Sequence, residues 1–466
     1  MSKRLIFLLS LVLILSAGCA SWGGRDSGLP SPNSIPDLEA IKKKDRLLIL
    51  APHPDDEVIG CAGIIQQALG VGAEVKVVYL TNGDHNQLAF IVYEKRLTFR
   101  KGEFLHMGEV RRKEAVKAME LLGLKEKDLI FLGYPDFGTF AIFRDYWGEV
   151  SPYRSLLTGA AKVPYPENFS FQSPYRGESI LIDLKRIITD YQPNKIFVSH
   201  PADTNSDHKA LYLFLEIALA DLKGTIPPPK VYAYLVHCLG WPLPRHYHPA
   251  LTLRPPQKFQ DASFEWRKFD LSQEELEQKR QAMLCYRSQT ASSAFYLLAF
   301  VRQNELCGAY PDINLENGQE ISYIHRLQRF FGIARSDYFT ISKEGKATVT
   351  YQLKEGNLLI HIQDRVRGLN RRIGFRLYLF PYKDTVPFAD MPKVCIFVRG
   401  KKFKVLEKKK VIKPPALSLD LGDEEVILKI PLQVLREPSF ILASLVAYGE
   451  TLPSAASAFR KINIIR

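Results

Sequence analysis

Cysteine is scarce in this chain, and no two cysteines form a CxxC pair. The six stand at positions 19, 61, 238, 285, 307 and 395, which sets aside a zinc site built from paired thiolates. A membrane-spanning run is also missing. The N-terminal apolar stretch falls short of the roughly 20 residues that a spanning helix needs. No internal repeat is visible, which removes repeat arrays. Acidic residues are outnumbered, 50 against 63 basic ones, leaving a formal net charge of +13. That balance turns the chain toward acidic partners such as nucleic acid, anionic lipid or anionic polysaccharide, without choosing among them.

What is present begins with length. At 466 residues the chain is too long for one ordinary core, so two domains are expected. The N-terminus "MSKRLIFLLSLVLILSAGCASWGG" has a basic start, an apolar stretch and then small residues, the order of a secretory signal. "LSAGC" resembles a bacterial lipoprotein signal, with Cys19 as the lipid-bearing residue and Ser16 where that pattern favours an aliphatic one. The reading is a signal peptide over 1–19, a flexible tether over 20–42 and an exported, membrane-anchored lipoprotein of the cell envelope. Such a location sets genomic DNA aside as a partner. With Cys19 lipidated, an odd five cysteines remain, whose pairing the sequence does not assign.

From Arg46 to about Tyr234, apolar runs alternate with amphipathic segments: "RLLILA" then "EVIGCAGIIQQALG", "KIFVSH" then "SDHKALYLFLEIALADL". The alternation predicts an α/β domain over 43–335, with a Rossmann-like, mostly parallel sheet and helices on both faces. After about Ser336 the runs are short and β-rich, predicting a separate all-β sandwich over 336–466. Within it "RGKKFKVLEKKKVIK" reads as a basic hairpin, either an edge strand protected by lysines or a face for an anionic polysaccharide.

"LLILAPHPDDEVIG" places three carboxylates against the end of a buried strand. Packed like charges repel, and burying them needs a compensating cation. "HPDDE" and "HPADTNSDH" each follow a strand and open a helix, so both belong on the sheet edge where α/β folds bind ligands. His53 and Asp56, three apart, face one point, and His208 on the second junction supplies a third ligand. Two histidines and a carboxylate would hold Zn2+ with a position left for water, and Asp55 would be the general base on that water. Helix capping alone also accounts for acids at these positions. Two His/Asp clusters at equivalent junctions favour the metal.

"APHPDDE", "TNGD", "RxxEAxxAxxLLG", "FLGYPD" and "PxDxxxDHxA", in that order, resemble the LmbE-like zinc de-N-acetylases, which include the N-acetylglucosaminyl-phosphatidylinositol deacetylases. The resemblance spans roughly residues 45–300. It implies a Rossmann-like fold and hydrolysis of an acetamide on an N-acetylglucosamine-type sugar. It also implies zinc ligands His53, Asp56 and His208, with Asp55 as base and Arg111 in contact with substrate. Asp136 of "GYPD" is then a sugar-hydroxyl acceptor or a turn aspartate. The chain departs from the family at Asn205, where many relatives have a histidine that stabilises the oxyanion or protonates the amine. Asparagine donates a hydrogen bond but supplies no proton. Either Asp55 shuttles the proton, or His200, His237 or another histidine stands in. Asp207 is expected to orient a ligand histidine, and Asp203 to line the pocket.

The segment 138–178, rich in Tyr, Phe, Pro and Gly, reads as a functional loop with faces for sugar rings or as a packed surface excursion. Tyr286 of "YRSQ" is a further site candidate. The function expected is a zinc-dependent N-deacetylase of an envelope glycan or glycoconjugate. A catalytically impaired carbohydrate-binding lipoprotein, and a zinc amidase for another N-acyl compound, are the competing readings.

Overall fold

The computed structural model describes residues 35–85, 101–238, 240–256, 259, 264–327, 345–364, 374–399, 402–414, 416–421, 425–448, 453–456 and 458–465. The signal peptide, Cys19, the first part of the tether and the expected boundary at 335/336 lie outside them. The remainder of the tether is not free. Ile35 and Leu38 are buried, and Leu38 N donates to Lys268 O while Lys268 N donates to Pro36 O. Two apolar side chains in an otherwise polar stretch are enough to dock it along a strand. Among the described residues, no helix is long and apolar enough to cross a membrane.

The first domain runs β1 (Arg46–Ala51), α1 (Asp56–Gly70), β2 (Glu74–Thr81), α2 (Lys101–Leu121), β3 (Leu129–Tyr134), α3 (Thr139–Asp145), α4 (Gly177–Tyr191), β4 (Lys195–Ser199), α5 (Ser206–Asp221), β5 (Lys230–Tyr234), β6 (Glu265–Asp270), α6 (Gln273–Cys285), α7 (Arg287–Leu297) and β7 (Asn304–Ala309). Its seven-stranded sheet has the order β3-β2-β1-β4-β5-β7-β6. The first five strands are parallel, and β7 pairs antiparallel with both neighbours. Strand β1 shows why the sheet is covered on both faces. Leu47, Ile49 and Ala51 join one core with Val58 and Ala62 of α1, while Leu48 and Leu50 join the other with Leu184 of α4 and Phe214 of α5.

The second domain is a sandwich of mostly antiparallel sheets. One has five strands, ordered 418–421, 425–431, 357–364, 345–354 and 320–327. The other has eight: 410–412, 402–407, 394–399, 374–382, 440–448, 460–465 and 313–316 in order, with 453–456 pairing off 440–448. The strands 313–316 and 320–327 precede the expected boundary yet belong to these sheets, so the β domain begins earlier than its change of texture suggests. Nor is the sandwich detached. Leu377 and Leu379 face its own core, whereas Tyr378, Phe380 and Tyr382 pack on the α/β domain. There Phe143 meets Phe380 at 5.2 Å and Phe140 meets Tyr378 at 5.5 Å between ring centroids. A fully buried aromatic contributes about 1.5–3 kcal/mol, so several together dock the two units firmly.

Candidate metal centre

Strands β1 and β4 are parallel neighbours, and the sheet order reverses between them. The chain leaves β1 toward β2 on one side and β4 toward β5 on the other, so the loops at their carboxyl ends diverge and leave a crevice. His53 and Asp56 come from the loop after β1 and the first turn of α1; His208 comes from the first turn of α5. All three are buried, and one ligand atom from each lies within 4.8 Å of the others. Asp56 Oδ2 is 3.1 Å from His53 Nδ1 and 3.1 Å from His208 Nε2.

The outer ring nitrogens face carboxylates. His53 Nε2 is 3.1 Å from Asp136 Oδ1 and 3.3 Å from Asp207 Oδ2; His208 Nδ1 is 3.2 Å from Asp203 Oδ2. Asp207 is itself fixed, accepting from Phe137 N at 2.5 Å and from Thr139 N and Oγ1 at 3.1 and 2.5 Å. Asp203 accepts from the backbone N–H groups of Asn205, Val236 and His237. Such outer partners set the orientation of metal-binding imidazoles. Asp203, expected on the pocket wall, is instead wholly enclosed behind His208, because three backbone donors and an imidazole take up its oxygens. Asp136 is likewise buried against His53 and accepts from His85 N at 3.0 Å.

Asp55 stands apart from this network. Its φ of 123° and ψ of −28° are strained for a residue with a Cβ, and its side chain caps nothing. Glu57 Oε2 holds its backbone N–H at 3.0 Å, and Arg111 Nη2 lies 3.3 Å from its Oδ2. Arg111 also donates to Pro54 O at 2.6 Å and Gly83 O at 3.1 Å. Gly83 of "TNGD" admits that guanidinium: a Cβ there would sit 2.1 Å from Nη1. Burial pushes the Asp55 carboxyl up to about 7, opposed by Arg111, and pushes Glu57 up to about 8, opposed by the Tyr286 hydroxyl that donates to it. The sequence places Glu57 among the three clustered carboxylates but gives it no role of its own. A first-turn acid is ordinary at a helix start, and its partner Tyr286 lies 229 residues away.

Asn205 caps α5, its Oδ1 accepting from Asp207 N at 2.8 Å. Of the two substitute histidines, His200 is corrected. It is packed among Phe259, Phe264, Trp266 and Tyr310, Nδ1 accepts from Ala202 N, and burial depresses its pKa to about 3. His237 does lie at the site, its ring 4.8 Å from that of His208, with burial lowering its pKa to about 4.

A divalent cation fits this donor set. Asp55, Asp56, Asp136, Asp203 and Asp207 are all buried around two imidazoles and one guanidinium, a surplus of negative charge that calls for a cation. His208 Nε2, the ring nitrogen turned toward Asp56, is buried without a well-aligned hydrogen bond, as a metal-binding atom would be.

An α/β sheet with a two-histidine, one-carboxylate centre at its switch point defines the class. Residues 48–219 match the model of the PIG-L family, GlcNAc-PI de-N-acetylase. The chain thus carries a PIG-L (LmbE-like) domain over 48–219. Among solved structures, an N,N'-diacetylchitobiose deacetylase from Pyrococcus horikoshii is 21% identical, with 53% of this chain and 70% of that one covered and a TM-score of 0.32. A deacetylase of teicoplanin biosynthesis is 18% identical, with coverages of 57% and 99% and a TM-score of 0.36. The conserved protein TT1542 from Thermus thermophilus is 22% identical, with coverages of 52% and 79% and a TM-score of 0.30. No curated protein matches the chain.

Proposed function

We propose that the protein is a zinc-dependent N-deacetylase acting on an N-acetylglucosamine-type sugar of an envelope glycan or glycoconjugate. The observation that carries this is the convergence of His53, Asp56 and His208 beside a carboxylate, Asp55, that is paired with Arg111 and engages neither imidazole nor helix cap. His53, Asp56 and His208 would hold zinc, which polarises an amide carbonyl and lowers the pKa of water to roughly 7. Asp55 takes the proton of the attacking water, since it is the one acid of the group engaged with neither imidazole nor cap. Arg111 keeps that carboxylate in place through its bonds to Pro54 O and Gly83 O. Asn205 has its Oδ1 committed to the cap and offers its Nδ2 donors to the oxyanion. Its amide gives up no proton at neutral pH, so Asp55 returns the proton to the departing amine. The lipoprotein signal at Cys19 supports an envelope location.

The test is metal analysis with acetate release from N-acetylglucosamine oligomers. The purified chain should hold about one zinc, as a single three-ligand site implies. His208→Ala should lose both metal and acetate release. A variant that keeps full zinc content would overturn the ligand assignment.

A further inference from the structure

The basic hairpin of the β domain is not remote from the metal centre. Its strands 402–407 and 410–412 close the edge of the eight-stranded sheet. The two residues between them, Lys408 and Lys409, have φ of 44° and 69°. Such a turn favours Asn-Gly, because glycine takes these angles freely and asparagine tolerates them, whereas lysine does neither. Two lysines there are a local backbone conflict of the kind that marks functional positions. Lys409 uses its position: Nζ donates to Tyr146 Oη at 2.6 Å and lies 4.1 Å from that ring's centroid.

From Tyr146 the contacts lead back to the metal. Tyr146 meets Tyr153 edge-on at 5.4 Å. Tyr153 rests on Gly138, where a Cβ would stand 2.7 Å from its Cε1. The neighbouring Phe137 exposes its ring, at a φ of 56°, while its N–H is held by Asp207, the carboxylate behind His53. An aromatic wall therefore runs from the centre to the hairpin. Lys402 and Lys404 extend it. They share the strand face of Leu406, which packs against the core cluster common to both domains, and both are exposed.

Protection of a sheet edge explains lysines on the edge strand itself. Because 410–412 pairs only with 405–407, it covers Lys402 and Lys404 on the open part of the second strand as well. It does not explain a strained turn lysine seated on a tyrosine of the other domain.

We propose that Phe137, Tyr153, Tyr146, Lys409, Lys404 and Lys402 form an extended subsite for an anionic glycan chain, one of whose N-acetyl sugars reaches the metal centre. This rests on the deacetylase reading and adds the substrate class: a polymer bearing acidic groups. Aromatic faces take sugar rings and ammonium groups take the acids. The continuity of the wall with the centre favours a glycan over an anionic lipid surface.

The probe is hyaluronan, an alternating polymer of N-acetylglucosamine and glucuronic acid, bound by the full zinc-loaded chain carrying Asp55→Ala so that the polymer stays intact. Affinity should fall as salt is added. The triple variant K402E/K404E/K409E should weaken binding by about tenfold or more at low salt, and K402R/K404R/K409R by less than about twofold. Unchanged melting transitions in both variants show that the fold is kept. Absence of hyaluronan binding, or parental affinity in the charge-reversed variant, overturns the subsite. So does a charge-reversed variant that loses only its binding to phosphatidylglycerol vesicles, which assigns the lysines to a membrane. Acetate release from neutral N-acetylglucosamine oligomers, measured on the chain with Asp55 intact, separates the two readings. If it holds while hyaluronan binding fails, only the subsite falls; if it is absent, the deacetylase reading falls and takes the substrate class with it.

Discussion

The two strand–helix junctions that meet at the metal centre solve the same problem differently. After β4, Asn205 has ordinary extended dihedrals, φ −74° and ψ 136°, and its side chain caps α5. After β1, Asp55 stands at φ 123° and leaves α1 without a side-chain cap. The second junction follows the usual chemistry of a helix start and delivers His208, a proposed ligand. The first forgoes its cap, and the strained backbone aims a carboxylate away from the helix and toward Arg111. On the proposed function, the strained one of two equivalent positions is where the proton chemistry would reside.

The largest test of that contrast is Asp55→Ala. Metal content should stay at the parental value, because neither ligand histidine touches Asp55, while kcat falls about 100- to 10,000-fold, the range for a lost general base. The pH profile sharpens it. Asp55 is active as a base only when charged. Burial raises its pKa toward 7, and a bound cation opposes that rise. The rate should therefore increase with pH through an apparent pKa below about 7, and this acid limb should vanish from the residual activity of the variant. Parental kcat in Asp55→Ala would remove the distinction between the junctions.

Next in size is Asp203→Asn, which acts on the capped junction. The amide no longer offers two acceptor oxygens to His208 Nδ1 and three backbone N–H groups. Zinc affinity should drop about 10- to 100-fold by competition with a chelator, as losses behind a ligand imidazole do. A parallel melting curve distinguishes this from unfolding. Unchanged affinity would mean that Asp203 organises only the loop.

The junctions were legible in the sequence because their chemistry is local. An aliphatic run followed by "HPDD", and another followed by "HPADTNSDH", place His53, Asp56 and His208 on one sheet edge by strand direction alone. The parallel sheet was legible for the same reason. What escaped depends on contacts across the chain. Glu57 looks like an ordinary helix-start acid until Tyr286 arrives, and Asp203 looks free until β5 brings the N–H groups of Val236 and His237 to it. The docking of residues 36–38 on β6, and the recruitment of 313–327 into the β domain, are pairings at long sequence separation that local texture does not encode.

The smallest effects are stabilities, and their signs should be opposite. Asn205→Ala removes the cap on α5 and should lower the stability of the metal-free protein by about 1 kcal/mol, with Asn205→Ser recovering most of it. Asp55→Gly removes no cap. It releases the Cβ from φ 123° and takes away a carboxylate whose raised pKa shows that its charge is poorly accommodated. Arg111 keeps Pro54 O and Gly83 O as partners, so it is not left bare. Asp55→Gly should then stabilise the metal-free protein by about 1 kcal/mol, within the range stored by one strained residue. Chemical denaturation of both variants decides the point. If Asp55→Gly destabilises as Asn205→Ala does, the first junction holds no stored strain, and its dihedrals follow from packing around Glu57 rather than from the placement of a base.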